Sequence, residues 1–218
     1  MREIGSVRVG FLVLVILVCC GLARAEDLKP IHLPKPRMEG GKPLMQALKD
    51  RKTARSFSAK TLPPQVLSDL LWAAVGVNRA DTGKRTAPSA VNWQEISLYV
   101  ALPEGLYVYD APAQALKPVL GEDIRRETGR QGFTAQVALD LVYVADRARM
   151  GKGSDADKDF YSAVDTGFIS QNVYLFCASE GLSTVVLGSV DKTALAGRMK
   201  LRPEQRVMLT QPVGYPGE

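Results

Sequence analysis

From Val9 to Leu22 every position is apolar, cysteine or glycine, with Arg2 and Arg8 ahead of the run and Ala23-Arg24-Ala25 behind it. A basic start, an apolar stretch shorter than the roughly 20 residues that cross a bilayer, and small residues spaced A-x-A predict a secretory signal peptide. It covers residues 1–25, with cleavage after Ala25, so a periplasmic or secreted protein without a stable membrane span is expected. Beyond it, residues 26–43 hold Pro30, Pro34, Pro36, Pro43 and Gly40-Gly41 without helical period, which predicts an extended Pro-rich arm. Pro43 then opens a short helix over 44–51, with Leu44, Ala47 and Leu48 on one face. A second helix begins at Pro63-Pro64, repeats Val66, Leu67, Leu70, Leu71, Ala74 and Val75, and closes near Gly76. Residues 77–92 lose all period and read as a long loop, a length that in a compact domain is usually functional or disordered.

Strands are predicted at 95–102 and 106–109, joined by the turn Pro103-Glu104-Gly105, and at 139–145. The longest helical pattern runs over 158–180, with Phe160, Val164, Phe168, Val173, Leu175 and Phe176, and stops at Gly181. A strand at 183–187, a short helix at 193–201 and a strand at 207–213 follow. Hairpin strands together with strands set between helices imply an α+β domain over 44–218, a mixed or antiparallel sheet flanked by helices.

Composition narrows the chemistry. The chain is 46% hydrophobic and 23% charged, with a net charge of +5 in mixed order, which excludes disorder and a dedicated nucleic-acid arm. One His, at position 32, and three Cys, at 19, 20 and 177, are too few for the usual zinc site, so no metal is expected. His32 reads as a surface residue and Cys177 as a core residue. No G-x-G-x-x-G follows a strand, and Gly83-Lys84 is followed by Arg85 where a phosphate loop requires Ser or Thr.

Three stretches carry candidate chemistry. Arg51-Lys52-Thr53-Ala54-Arg55-Ser56 sets three cations and two hydroxyls at a helix end, suited to a phosphate or to a solvated turn. Pro88-Ser89-Ala90-Val91-Asn92-Trp93-Gln94 combines small residues with amides able to read a heteroaromatic edge, or simply feeds a strand. Gly181-Leu182-Ser183-Thr184-Val185-Val186-Leu187-Gly188-Ser189 ends a strand where a backbone N–H is free to donate, or forms an ordinary turn.

In order and spacing these stretches resemble the nitroreductase family of FMN oxidoreductases, and more closely its SagB/ThcOx-like dehydrogenase branch. Gly83-Lys84-Arg85-Thr86-Ala87-Pro88-Ser89, Gly105-Leu106-Tyr107-Val108-Tyr109, Gly167 to Leu175 and Val213-Gly214-Tyr215-Pro216 look like the same branch, over residues 44–216. The resemblance implies a homodimer holding FMN in the subunit interface, with the chemistry centred on the flavin and no catalytic side chain. Arg51, Lys52, Thr53 and Arg55 then match the phosphate and ribityl cradle. Pro88, Ser89, Ala90 and Asn92 match the segment reaching the flavin from the other subunit, and Val186, Leu187, Gly188 and Ser189 the stretch against the ring. The family's further Lys and Arg after the Gly-Tyr strand have no counterpart before Glu218, which implies either a weaker hold on the phosphate or Arg85 as the expected substitute. The expected activity is transfer of a hydride or electron pair from a small-molecule donor through FMN to an organic acceptor. The rival readings are a non-catalytic flavin-binding protein and a dimeric family member without cofactor.

Overall fold

The strand Leu139–Asp146 is buried at every position, because its alternate side chains enter two different cores. Leu139, Leu141, Tyr143 and Ala145 belong to one cluster, Val142 and Val144 to the other. A strand with both faces apolar and branched needs a cover on each side and a strand on each edge. The computed structural model describes residues 28–218. The expected signal peptide lies outside the described residues.

In chain order the elements are β1 (Ile31–His32), α1 (Leu44–Asp50), α2 (Pro64–Val75), β2 (Val77–Arg79), β3 (Lys84–Arg85), β4 (Ile96–Leu102), β5 (Gly105–Asp110) and β6 (Ala115–Leu120). They continue with β7 (Leu139–Asp146), α3 (Asp155–Glu180), β8 (Ser183–Thr184), α4 (Lys192–Arg198) and β9 (Gln205–Gly214). Seven strands form one sheet in the order β1-β6-β5-β4-β7-β9-β8, and each pairing is antiparallel. Helices α2 and α3 supply Leu67, Leu70, Leu71, Ile169, Val173 and Cys177 to the first core, and α4 supplies Leu195 to the second. The expected α+β fold, a sheet flanked by helices, is therefore present. Among the described residues no helix is long and apolar enough to cross a membrane.

The proline arm is extended, as its composition demands, and is clasped to α2. Arg37 donates from its backbone N–H and its Nε to the two oxygens of Asp69, at 2.8 and 2.7 Å, and Ser68 donates to the Pro34 carbonyl. His32 is exposed on β1, and Cys177 is buried in the core, where desolvation pushes its thiol up.

Several local expectations need correction. The loop expected at 77–92 contains the hairpin β2–β3, turned at Gly83 in the left-handed region, and a 3-10 turn at Ala90–Asn92. Its strands are too short and polar to show a period. Strand β6 was unanticipated because Pro118 lies inside it; its neighbour β1 pairs only with Leu116 and Ala115, so the missing donor disrupts no ladder there. The strand expected at 183–187 shrinks to Ser183–Thr184 and one bridge, Leu187 to Thr210.

The helices differ most in which face they bury. On α1 only Ala47 is buried, while Leu44 and Met45 are 63% and 76% exposed. On α3 the buried stripe is Ser162, Asp165, Thr166, Ile169, Ser170, Val173 and Cys177, largely polar in its first half. Phe160, 63% exposed, and Phe168 point outward. Thr166 satisfies its hydroxyl on the Ser162 carbonyl at 2.7 Å, which lets the small polar face pack inward. The helix starts at Asp155, three residues before the expected position, because Ser154 and Asp157 form a reciprocal capping box.

Candidate functional site

The basic turn after α1 is built against the far edge of the sheet. Arg51 closes the helix with its N–H on the Ala47 carbonyl and then turns extended. The turn is pinned by three contacts to the last strands. Ala54 N–H donates to the Thr184 carbonyl at 3.0 Å, Ser58 N–H to the Tyr215 carbonyl at 2.9 Å, and Phe57 bridges to Pro216. Between this turn, the end of α3 and the start of β8 lies a cavity of about 730 Å³, with Lys52, Thr53, Arg55 and Ser56 on its wall. Lys42 and Asp50, also at its rim, neutralise one another at 2.7 Å. Among the described residues Arg51, Lys52 and Arg55 make no ion pair. The positive charge therefore stays available to a bound anion.

Tyr174, on α3, joins this turn to the stretch after β8. Its hydroxyl accepts the Val186 N–H at 2.9 Å and meets the Thr53 hydroxyl at 3.3 Å, while the Arg51 guanidinium sits over its ring, 5.4 Å from the centroid. This bond explains why β8 is short, since Val186 gives its N–H to a side chain instead of a neighbouring strand. Leu187 then returns to the sheet by exchanging both backbone bonds with Thr210. Gly188 and Ser189 follow, exposed, and among the described residues neither N–H has a partner. A Cβ at Gly188 would meet only Leu209, at 3.8 Å. These two N–H groups, on exposed residues, are left free to donate.

Of the expected site residues, Lys52, Thr53 and Arg55 line the cavity, whereas Arg51 stays off its wall, stacked over the ring of Tyr174, which does line it. Val186 is tied to the same tyrosine, and Leu187, Gly188 and Ser189 continue from it without lining the cavity. Pro88, Ser89, Ala90 and Asn92 are not brought to this cavity within one chain. Pro88 and Ser89 line a separate narrow cleft with Arg85, Gln94 and Asp165. Arg85, the expected substitute for the C-terminal cations, instead donates to the Gln94 side chain at 2.7 Å. Sequence reasoning missed the role of Tyr174, because an aromatic on a helix has no local signature that separates a hydroxyl at a junction from a core ring.

An antiparallel sheet flanked by helices, with a cation-lined cavity at its edge, defines the class as an α+β protein. The family model described as the Nitroreductase family matches residues 48–215, and the chain belongs to that family. A candidate nitroreductase of Methanocaldococcus jannaschii is 29% identical over 182 residues, covering 78% of this chain and 90% of the relative. The crystal structure of a candidate nitroreductase from Ralstonia eutropha superposes with a TM-score of 0.83 at 42% identity, covering 87% of this chain and 90% of the other. A Desulfovibrio desulfuricans family structure in complex with FMN shares the fold, with a TM-score of 0.59 at 18% identity, over 82% of this chain and 89% of that one.

Two substitutions separate the junction from the open turn. Tyr174→Phe keeps the ring but leaves the Val186 N–H unpaired, and is expected to cost about 1–2 kcal/mol in chemical denaturation. Gly188→Ala is expected to change stability by less than about 0.5 kcal/mol, because its Cβ enters open space. Equal costs would contradict this division.

Proposed function

We propose that the chain is an exported FMN-dependent oxidoreductase of the nitroreductase family, of its SagB/ThcOx-like branch, passing reducing equivalents from a small-molecule donor to an organic acceptor. The observation that carries the reading is a cavity of about 730 Å³ lined by Lys52 and Arg55, neither of which makes an ion pair among the described residues. That volume lies in the range of cofactor sites, roughly 300–1,000 Å³. The donor set fits FMN. Lys52 and Arg55, with Arg51 behind them, supply charge-assisted bonds to a phosphate, and Thr53 and Ser56 supply hydroxyls beside it. The N–H groups of Gly188 and Ser189 are placed to hydrogen-bond a ring edge, and Tyr174 holds them in register with the cradle.

FMN, when bound, supplies the hydride or electron-pair chemistry, and the chain's part is to hold, orient and tune it. We extend the same reading to a homodimer in which Pro88, Ser89, Ala90 and Asn92 reach the partner's flavin. Exposed apolar side chains support it: Leu44, Met45 and Leu48 on α1, Phe160 and Phe168 on α3, and Val91, which is 82% exposed. Such a set on helices exceeds scattered surface residues and suits an interface. Residues 1–25 act as a cleaved signal peptide, placing the mature enzyme outside the cytoplasm.

Arg51→Ala or Arg55→Ala should weaken FMN about ten- to a hundredfold in calorimetric titration, the effect of one charge-assisted hydrogen bond, while leaving riboflavin affinity nearly unchanged. Equal losses for both ligands would leave the cations only a structural role. In sedimentation, flavin absorbance should travel with a dimer; a monomer retaining FMN would overturn the shared site. The intact mass of exported protein should begin at Glu26, and a mass retaining residues 1–25 would contradict cleavage.

A further inference from the structure

The segment that enters β4 is strained. Val91, Asn92 and Gln94 all lie in the left-handed region, with φ of 51°, 57° and 48°. A β-branched residue such as Val91 avoids that region, and residues held there cost on the order of 1–3 kcal/mol each. The strain persists only because surrounding groups fix the segment. Ser89 accepts the Gln94 N–H at 3.0 Å, Gln94 accepts from Arg85 and Arg149, and Trp93 lies edge-on to Tyr161 at 5.8 Å. Asp165, buried on the inward face of α3, ties the segment to that helix by accepting the Ala90 N–H at 2.9 Å.

Directly after the segment comes Glu95, fully buried, and among the described residues neither of its carboxyl oxygens meets a hydrogen-bond donor. A solitary buried carboxylate is costly, and here a second carboxyl, that of Asp165, stands beside it. Nothing in the cavity reading engages Glu95. The charged groups facing the pair are Asp165 from α3, Arg149 after β7 and Arg85 from β3. Arg149 and Arg85 both direct hydrogen bonds to Gln94.

We propose that a neutral Glu95 carboxyl, set against Asp165, holds residues 89–94 in their strained conformation, making both of them positioning residues for that segment. With the proton present, Glu95 is neutral and Asp165 serves as acceptor for Ala90. Without it, two like charges face one another away from water, and separation relieves them by releasing the Ala90 N–H. Burial, with Asp165 adding to the rise, pushes the Glu95 carboxyl up to about 7. The sign follows from the raised value. Stability contributed by the neutral form is fully present below the ordinary carboxylate range and is lost as pH rises through about 7. The segment should therefore loosen on the alkaline side, with the loss limited to about tenfold per pH unit for one proton.

The consequence for ligand affinity rests on the FMN reading, whereas the behaviour of the segment does not. The test is hydrogen exchange at residues 90–93 of the full protein, corrected for intrinsic rates, with Trp93 fluorescence in a Trp72→Phe background as a second readout. Protection should fall and fluorescence should change together as pH rises through about 7. Glu95→Gln, which keeps the shape and cannot lose the proton, should abolish that step, and Asp165→Asn should abolish it while lowering protection at every pH. If Glu95→Gln fails to fold, the step in the unmodified protein and its absence in Asp165→Asn still decide. Flat profiles for the unmodified protein, or an unchanged step in either variant, would overturn the proposal. Where the step is present and FMN affinity fails to follow it, the link between segment and flavin falls while the carboxyl pair stands.

Discussion

Burial of β7 on both faces is the constraint around which the molecule is arranged. Eight consecutive buried positions need β4 and β9 along their edges, α2 and α3 over one face, and α4 over the other. Asp140, fully buried on this strand, finds no hydrogen-bond partner among the described residues, and burial pushes its carboxyl well above the usual range. With the centre so covered, the free backbone lies at the margin. The sheet ends in the two-residue strand β8, and the cavity opens there.

The same packing shapes the site through α3. Its inward stripe is lined with small polar residues, so the helix lies close to the sheet and its side chains act as fasteners. Tyr174 holds the basic turn and the Gly188 stretch, while nine residues earlier Asp165 holds the segment before β4. One rigid helix thus sets the positions of all three stretches that carry polar chemistry. The aromatic side chains that the packing leaves outside, Phe160 and Phe168, are available to a second copy.

Much of this was legible in the sequence. Periodicity gave α2 and the body of α3, the turn Pro103-Glu104-Gly105 marked β4 and β5, and an apolar, branched run gave β7, because these signals come from burial that the whole fold enforces. What stayed hidden was set by partners distant in sequence. The inward polar face of α3 contradicts its aromatic pattern, which only a covering surface explains. The shortening of β8 depends on a tyrosine 12 positions earlier taking the Val186 N–H. The three candidate stretches were legible by residue type, and two of them converge within a single chain. Glu95 was invisible, since a carboxyl ahead of a strand normally faces water.

The account turns on whether the cation-lined cavity takes a flavin and lets it work. The most direct measurement is the visible spectrum of the purified protein after incubation with FMN and gel filtration, followed by anaerobic addition of a reductant. A flavin chromophore should stay with the protein, bleach on reduction and recover with an organic acceptor. A folded protein that emerges colourless, or one whose bound flavin cannot be reduced, would contradict it.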